Sequence, residues 1–328
     1  MSVDNYKISD PILAECAKDA IFITSASYES RCLTMSQLIG CRHKQAEVFW
    51  VKNLCPLIGR NLKEVRKFLG YDRVHDVATE ISKPTESASA IDQAVRQLLS
   101  KKGDHKILID VTTFTHEHLL FILKSLYDCR SQICELKCVY SGAKEYSYAE
   151  EGEKKWLSKG CAEIRSVIGY PGALYPREDN VLIIVVGLEH ERAGYVVDDM
   201  SPDKLYLGFG KPDIITDKAH EVPRSQFEKM LAENIAIYQN VERFAFNACD
   251  PLDALEKLKT VLSRTPNCNH IIVPMNTKLS TLAVAALGLH NPAVQLCYAQ
   301  PETYNFNAYS KAGNEVHMVD CTEFILGR

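Results

Sequence analysis

Residues 21–31 read IFITSASYESR and residues 182–192 read LIIVVGLEHER. Each begins as a short run of large or β-branched apolar residues, turns polar, and ends with glutamate close before an arginine, at Arg31 and at Arg192. Such a run, bounded by polar turn residues, marks a strand buried on both faces, the kind found in parallel sheets covered by helices. The likeness continues downstream. Residues 107–113, ILIDVTT, are matched by 271–277, IIVPMNT, and Cys138-Val139-Tyr140 with Tyr146 is matched by Leu296-Cys297-Tyr298 with Tyr304. From Arg31 to Tyr140 is 109 positions and from Arg192 to Tyr298 is 106. Three landmarks in one order at nearly one spacing imply an internal duplication.

Further apolar runs occur at Glu47 to Val51 and Leu136 to Tyr140, and at Leu205 to Phe209, Glu242 to Asn247 and Val294 to Tyr298. Helical stripes fill the intervals: Ile91, Val95, Leu98 and Leu99 within Glu86 to Lys101, and Leu252, Leu255, Leu258 and Leu262 within Leu252 to Leu262. Asp250 before Pro251 is the start signal of the second stripe. The expected fold is therefore α/β, two tandem Rossmann-like units with parallel sheets. The stretch Tyr148 to Asn180 carries Glu150, Glu151, Glu153, Lys154 and Lys155 before Gly169-Tyr170-Pro171-Gly172, and reads as the connector. It sets the expected division at 1–175 and 176–328.

Composition narrows the class. Of 328 residues, 46% are apolar and 24% charged, and no apolar run has the roughly 18 residues of a membrane span. No membrane partner is expected. Lysine and arginine number 38 against 42 acidic residues, a formal charge of −4, so no extensive nucleic-acid surface is expected and any polyanion site must be local. Met1 to Asp4 lacks the basic-then-apolar layout of a secretory signal, and the 12 cysteines are irregularly spaced. Reduced thiols in a cytoplasmic setting are the expectation. Cys129, Cys134 and Cys138 do not have the C-x2-C spacing of zinc sites, so no metal is expected, and without Gly-x-Gly-x-x-Gly after a strand no cofactor is expected either.

Ligands of open parallel sheets bind beyond the carboxyl ends of the strands. The polar residues there are Ser25, Ser27, Glu29 and Arg31, then Asp110, Thr112, Thr113, Thr115 and His116. In the second half they are Gly187, Glu189, His190, Glu191 and Arg192, then Asn276, Thr277, Lys278 and Ser280. A ligand-binding set is expected from Ser25, Ser27, Arg31, Thr112, Thr113, Glu191, Arg192, Asn276, Thr277 and Lys278. Asn276-Thr277-Lys278 brings a lysine, a hydroxyl and helix N–H groups together, as a phosphate requires; alternatively Thr277 caps the helix while Lys278 faces water. One of the threonines at 112, 113 and 115 must cap the helix holding Leu119 to Leu123. If the protein is an enzyme, Glu29, Asp110 and His116 are its catalytic candidates, as acid, base or water-activating groups. Asp110 is matched by Pro274, so any chemistry belongs to one half. Tyr140 and Tyr146, and Tyr298 and Tyr304, either stack on a base or pack under a loop. Residues 304–314, rich in Asn, Tyr, Ser and Gly, form a flap or a surface loop.

Two Rossmann-like units in one chain, with polar turns at Ser25 to Arg31 and Gly187 to Arg192 and again at Asp110 to Thr115 and Asn276 to Ser280, resemble the tandem CARF and SAVED-like sensor domains. The resemblance covers most of the chain in outline. It implies binding of a cyclic or linear oligonucleotide second messenger in bacterial antiviral defence. SAVED units normally accompany an effector domain, for which 328 residues leave no obvious room. The resemblance therefore implies a free-standing sensor, a subunit beside a protein partner or effector, or an enzyme that degrades the messenger. The expected function is binding of a nucleotide or phosphorylated small molecule. The alternatives are a nucleotide-directed hydrolase (phosphoesterase, nuclease or glycosidase) and a structural subunit of a defence or regulatory complex; a homo-oligomer is compatible with each.

Overall fold

Each apolar run named above lies on a strand in the computed structural model, which describes residues 3–101, 103–146, 156–211 and 241–328. The charged run from Glu150 to Lys155 lies outside the described residues. In chain order come β1 (Val3–Lys7), α1 (Pro11–Glu15), β2 (Ile21–Ala26), α2 (Cys32–Ile39), β3 (Gln45–Val51), α3 (Pro56–Leu69), β4 (Val74–Thr79), α4 (Pro84–Leu98), β5 (His105–Asp110), α5 (His116–Asp128) and β6 (Ile133–Tyr146). Next are β7 (Ser158–Lys159), β8 (Glu163–Pro171), β9 (Asn180–Val186), α6 (His190–Met200), β10 (Lys204–Gly210), β11 (Val241–Phe246), α7 (Pro251–Arg264), β12 (Asn269–Pro274), α8 (Lys278–His290), β13 (Gln295–Gln300) and β14 (Thr303–Tyr304). Last come β15 (Ser310–Asp320) and α9 (Thr322–Leu326).

The two large sheets run β1-β15-β6-β5-β2-β3-β4 and β11-β10-β9-β12-β13-β8. In each, the parallel strands, numbered one to five along the chain, lie in the order 3-2-1-4-5. That is the order of a Rossmann-like half. The register repeats as well: Ile21 lies opposite Ile107, and Leu182, the match of Ile21, lies opposite Ile271, the match of Ile107. Two sheets of one order and one register fit a tandem duplication.

Packing follows from the apolar stripes. In the first unit α1, α2 and α3 bury Leu13, Met35, Ile39, Leu62 and Val65 against Phe22, Val48 and Leu108, and α4 packs along α5. In the second, Ala193, Val196 and Val197 of α6 cover Leu182, Ile184 and Leu207. Helix α8 is apolar all round and buried from Leu279 to Leu289, with α7 packed on it. Asp250 caps α7 as expected, its carboxylate accepting from Leu252 N at 2.9 Å, with Pro251 in the first helical position.

The units divide differently from the expected 1–175 and 176–328. The first comprises Met1–Glu145 with Ser310–Arg328, and the second Tyr146–Tyr309. Strand β15 pairs antiparallel with β1, from Val3 opposite Val319 to Lys7 opposite Glu315, and Cys321 N donates to Leu136 O at 2.7 Å. Strand β8 pairs antiparallel with β13. Strand β15 thus completes the sheet of the first unit and β8 that of the second, while β7 and β14 pair with each other in a small sheet of their own. Residues 304–314, expected as a flap or a surface loop, are the end of β14, a turn and the start of β15. Strand β4 was not expected because only Thr79 in it is buried, which leaves no apolar run to read.

Ending the chain at Tyr309 removes a strand lying between β1 and β6. The first unit is expected to lose its cooperative thermal transition while the second keeps its own, measured by circular dichroism melting with limited proteolysis. Survival of both transitions would contradict the assignment of Ser310–Arg328 to the first unit.

Candidate functional site

Strand order reverses between β2 and β5 and again between β9 and β12, and beyond the carboxyl ends of such strand pairs a Rossmann-like sheet offers its crevice. In the first unit this position is bridged by Arg31, the N-cap residue of α2. Arg31 is only 3% exposed. Its Nε donates to Glu29 Oε2 at 3.0 Å and to Ser310 Oγ at 2.9 Å. Nη2 donates to Glu29 Oε2 at 2.6 Å, and Nη1 to Ser141 O at 3.1 Å and Tyr140 OH at 3.4 Å. Ser310 Oγ donates to Glu29 Oε2 at 2.6 Å. The guanidinium thus reaches from the end of the first parallel strand to that of the fifth, and each of its nitrogens has an acceptor within the protein.

Beneath it Asp110 ends β5, 1% exposed. Oδ1 accepts from Thr112 N at 3.1 Å and, in a short contact, from the Thr112 hydroxyl; Oδ2 accepts from Thr24 Oγ1 at 3.4 Å. Thr112 Oγ1 also accepts from Ser141 N at 2.9 Å. Burial raises the Asp110 pKa to about 6, against the opposing pull of the Thr112 hydrogen bonds and the Arg31 charge. Thr113 ties the ends of β2 and β5 together, with Oγ1 at 2.6 Å from Ser25 Oγ and donating to Ser25 O at 3.2 Å. Thr115 is the cap of α5, accepting from His118 N at 3.1 Å. The three threonines serve a carboxylate, a strand tie and a cap.

The second unit repeats the plan with different wiring. Arg192 lies in the first turn of α6, 6% exposed, and donates through Nη1 to Ser158 Oγ at 2.7 Å and through Nη2 to Glu189 Oε2. Ser158 Oγ donates to Glu189 Oε1. Burial acts to lower the Arg192 pKa, but Glu189 and then Tyr298, Tyr304 and Tyr309 outweigh it and the net shift is upward. Asn276 Nδ2 donates to Val186 O at 2.5 Å, the counterpart of the Thr113 tie. The approach is so close that a Cβ on Gly187 would lie 1.9 Å from Met275 O, so only glycine fits there. Thr277 caps α8, accepting from Ser280 N at 3.1 Å, and donates to Ala248 O at 2.7 Å. Lys278 is the first residue of that helix, half-buried.

The expected residues thus fall into separate roles. Ser25, Arg31, Thr112 and Thr113 are absorbed in the first unit's own network. Ser27 is buried there too, its carbonyl accepting from Asn61 Nδ2 at 2.7 Å. Glu29 is held by Arg31 and Ser310, Asp110 by Thr112 and Thr24, and His116 stands half-buried at the start of α5. Glu191 is exposed, and Glu189 is the acid that holds Arg192. Ser141, Ser158 and Ser310 were missed, since isolated serines on distant strands leave no sequence signal. Among the described residues no group of three or more His, Cys, Asp or Glu is placed to hold a metal ion, and no helix is long and apolar enough to cross a membrane.

No family model and no curated protein matches the chain. Among solved structures it is similar at 10% identity to the N-domain with NADP of a bacterial malonyl-CoA reductase, covering 84% of this chain and 78% of that one, with a TM-score of 0.23. A multidomain NRPS module with adenylation, ketoreductase and pseudo Asub parts matches at 10% identity over 83% of this chain and 28% of that one, with a TM-score of 0.22. A ketoreductase domain from the bacillaene assembly line matches at 10% identity over 89% and 68%, with a TM-score of 0.20. At such scores these likenesses carry no argument, and the strand order stands on its own geometry.

An acid whose folded pKa of about 6 lies above its ordinary 3.8 holds its proton more tightly when folded. Its contribution to stability is full below pH 4 and falls as the pH rises to 6. Asp110→Asn can keep both Thr112 bonds and donate to Thr24. It is expected to raise stability at pH 7 by on the order of 2–3 kcal/mol relative to the wild type, with that gain disappearing below pH 4. Urea unfolding at the two pH values measures it, and a pH-independent difference would show that Asp110 titrates normally.

Proposed function

We propose that the chain binds a nucleotide or other phosphorylated small molecule at the carboxyl end of the second sheet, where β9 and β12 part. The observation that carries this reading is the head of α8. It has no acidic residue in its first turn and begins with Lys278, whereas α6 and α7 carry Glu191 and Asp253 there. Helix N–H groups, the positive end of the helix dipole and a lysine occur together at the start of α8, a setting that favours phosphate. The matching helix α5 carries Glu117 in its first turn.

The resemblance to CARF and SAVED-like sensors narrows the ligand, in this reading, to a cyclic or linear oligonucleotide second messenger of bacterial antiviral defence. A nucleotide-directed hydrolase has less support, because Glu29 is held by Arg31 and Ser310 while Asp110 is enclosed by Thr112 and Thr24. A structural subunit of a larger complex is the outcome if no nucleotide binds.

Cyclic di-AMP, ADP and NADPH are the probes, read by thermal shift, since a ligand that binds only the folded state raises its apparent stability. For whichever probe binds, Lys278→Ala is expected to weaken calorimetric affinity by about 10- to 100-fold, the scale of one charge-assisted hydrogen bond. Unchanged affinity would remove Lys278 and the head of α8 from the site.

A further inference from the structure

The two buried arginines are near-equivalents with one difference. Arg31 has an acceptor on Nε, Nη1 and Nη2. Arg192 has acceptors on Nη1 and Nη2, but its Nε, equally buried, has no hydrogen-bond partner among the described residues. The cause is visible in the sequence. The glutamate lies two residues before Arg31 but three before Arg192, and the position matching Glu29 is His190. Glu189, the N-cap residue of α6, meets Nη2 from one position further back. Ser158 stands on the Nη1 side, whereas Ser310 stands on the Nε side of Arg31. The acceptors that Glu29 and Ser310 give to Nε in the first unit therefore have no equivalent in the second.

A guanidinium stays charged when buried, and a buried N–H without an acceptor is costly. Glu189 already balances the Arg192 charge, so the missing acceptor is a neutral oxygen rather than a second anion. The surroundings are aromatic. Tyr298, Tyr304 and Tyr309 stand close enough to act on the Arg192 charge. The Tyr298 and Tyr304 hydroxyls lie 3.4 Å apart, and the Arg165 guanidinium lies 5.4 Å from the Tyr298 ring centroid. Tyr304 and Phe306, their ring centroids 6.0 Å apart, are half-buried.

We infer that Arg192 Nε is a recognition position for the carbonyl oxygen of a planar heterocycle, a nucleobase such as guanine or uracil, seated beside Tyr304 and Phe306. In the first unit the same position is filled by the protein's own Ser310 and Glu29. The inference rests on the reading that the second unit holds a nucleotide and adds which part of it Arg192 grips. It makes Arg192 a specificity residue, distinct from Lys278, which serves the phosphate.

The experiment uses the full chain with GMP, UMP and AMP as probes. GMP or UMP is expected to bind about tenfold or more tighter than AMP, the discrimination one hydrogen bond to a charged group supplies. Arg192→Lys, which keeps a positive charge beside Glu189 but loses the Nε–H donor, is expected to erase that ratio, while Lys278→Ala lowers all three affinities and preserves it. Because Arg192→Lys can fail to fold, the wild-type chain provides a second readout. The Nε–Hε resonance of Arg192 in a nitrogen–proton correlation spectrum shifts on adding the preferred nucleotide, and that of Arg31 does not. Equal affinity for the three nucleotides, an unchanged ratio in Arg192→Lys, or a still Arg192 resonance overturns the inference while the phosphate reading stands. Absence of binding by all three overturns the inference, and absence of binding by cyclic di-AMP, ADP and NADPH as well overturns the phosphate reading.

Discussion

A guanidinium taken out of water keeps its charge and demands acceptors, and that demand organises the carboxyl ends of both sheets. Arg31 and Arg192 each link a glutamate beside the first parallel strand to a serine brought from a remote part of the chain. Removing one partner of such a buried pair typically costs about 3–5 kcal/mol, because the other is left uncompensated. The pairing thus holds distant segments in place: Ser310, the first residue of β15, meets Glu29 and Arg31 across 279 positions or more. The chemistry at the strand ends and the long-range topology are one constraint.

The first unit gives every nitrogen of its arginine an acceptor, and the second leaves Arg192 Nε without one among the described residues. Above β5, Asp110, Thr112, Ser141 and Arg31 form a buried network. Above β12, Pro274 replaces the carboxylate, the tie is made by Asn276, and the helix that follows starts with a lysine. The difference comes from few residues, notably the step from Glu29 to Glu189 and the exchange of Asp110 for Pro274.

The antiparallel strands β8 and β15 add a second long-range feature. β8 comes before the parallel strands of the sheet it joins, and β15 comes long after those of its own. The first unit is not a continuous piece of chain, since it is built from both ends of it, whereas the second is the continuous segment between them. Local sequence carries no trace of this, because an edge or antiparallel strand such as β4 or β15 is only partly buried and its partner is chosen by pairing rather than by composition.

The apolar runs, the caps at Asp250 and Thr115 or Thr277, and the paired landmarks from Arg31 to Tyr140 and Arg192 to Tyr298 were legible in the residues alone, because periodicity and capping are local properties. They sufficed for two Rossmann-like units and for placing the polar groups at the strand ends. Which of those groups face one another was decided only by tertiary structure. Ser310 and Ser158 became partners of buried arginines through strand pairing over long separations, and Arg192 kept an open Nε because its glutamate sits one position further back on a helix start. Hydrogen-bond satisfaction depends on distances between segments, and no local pattern encodes those.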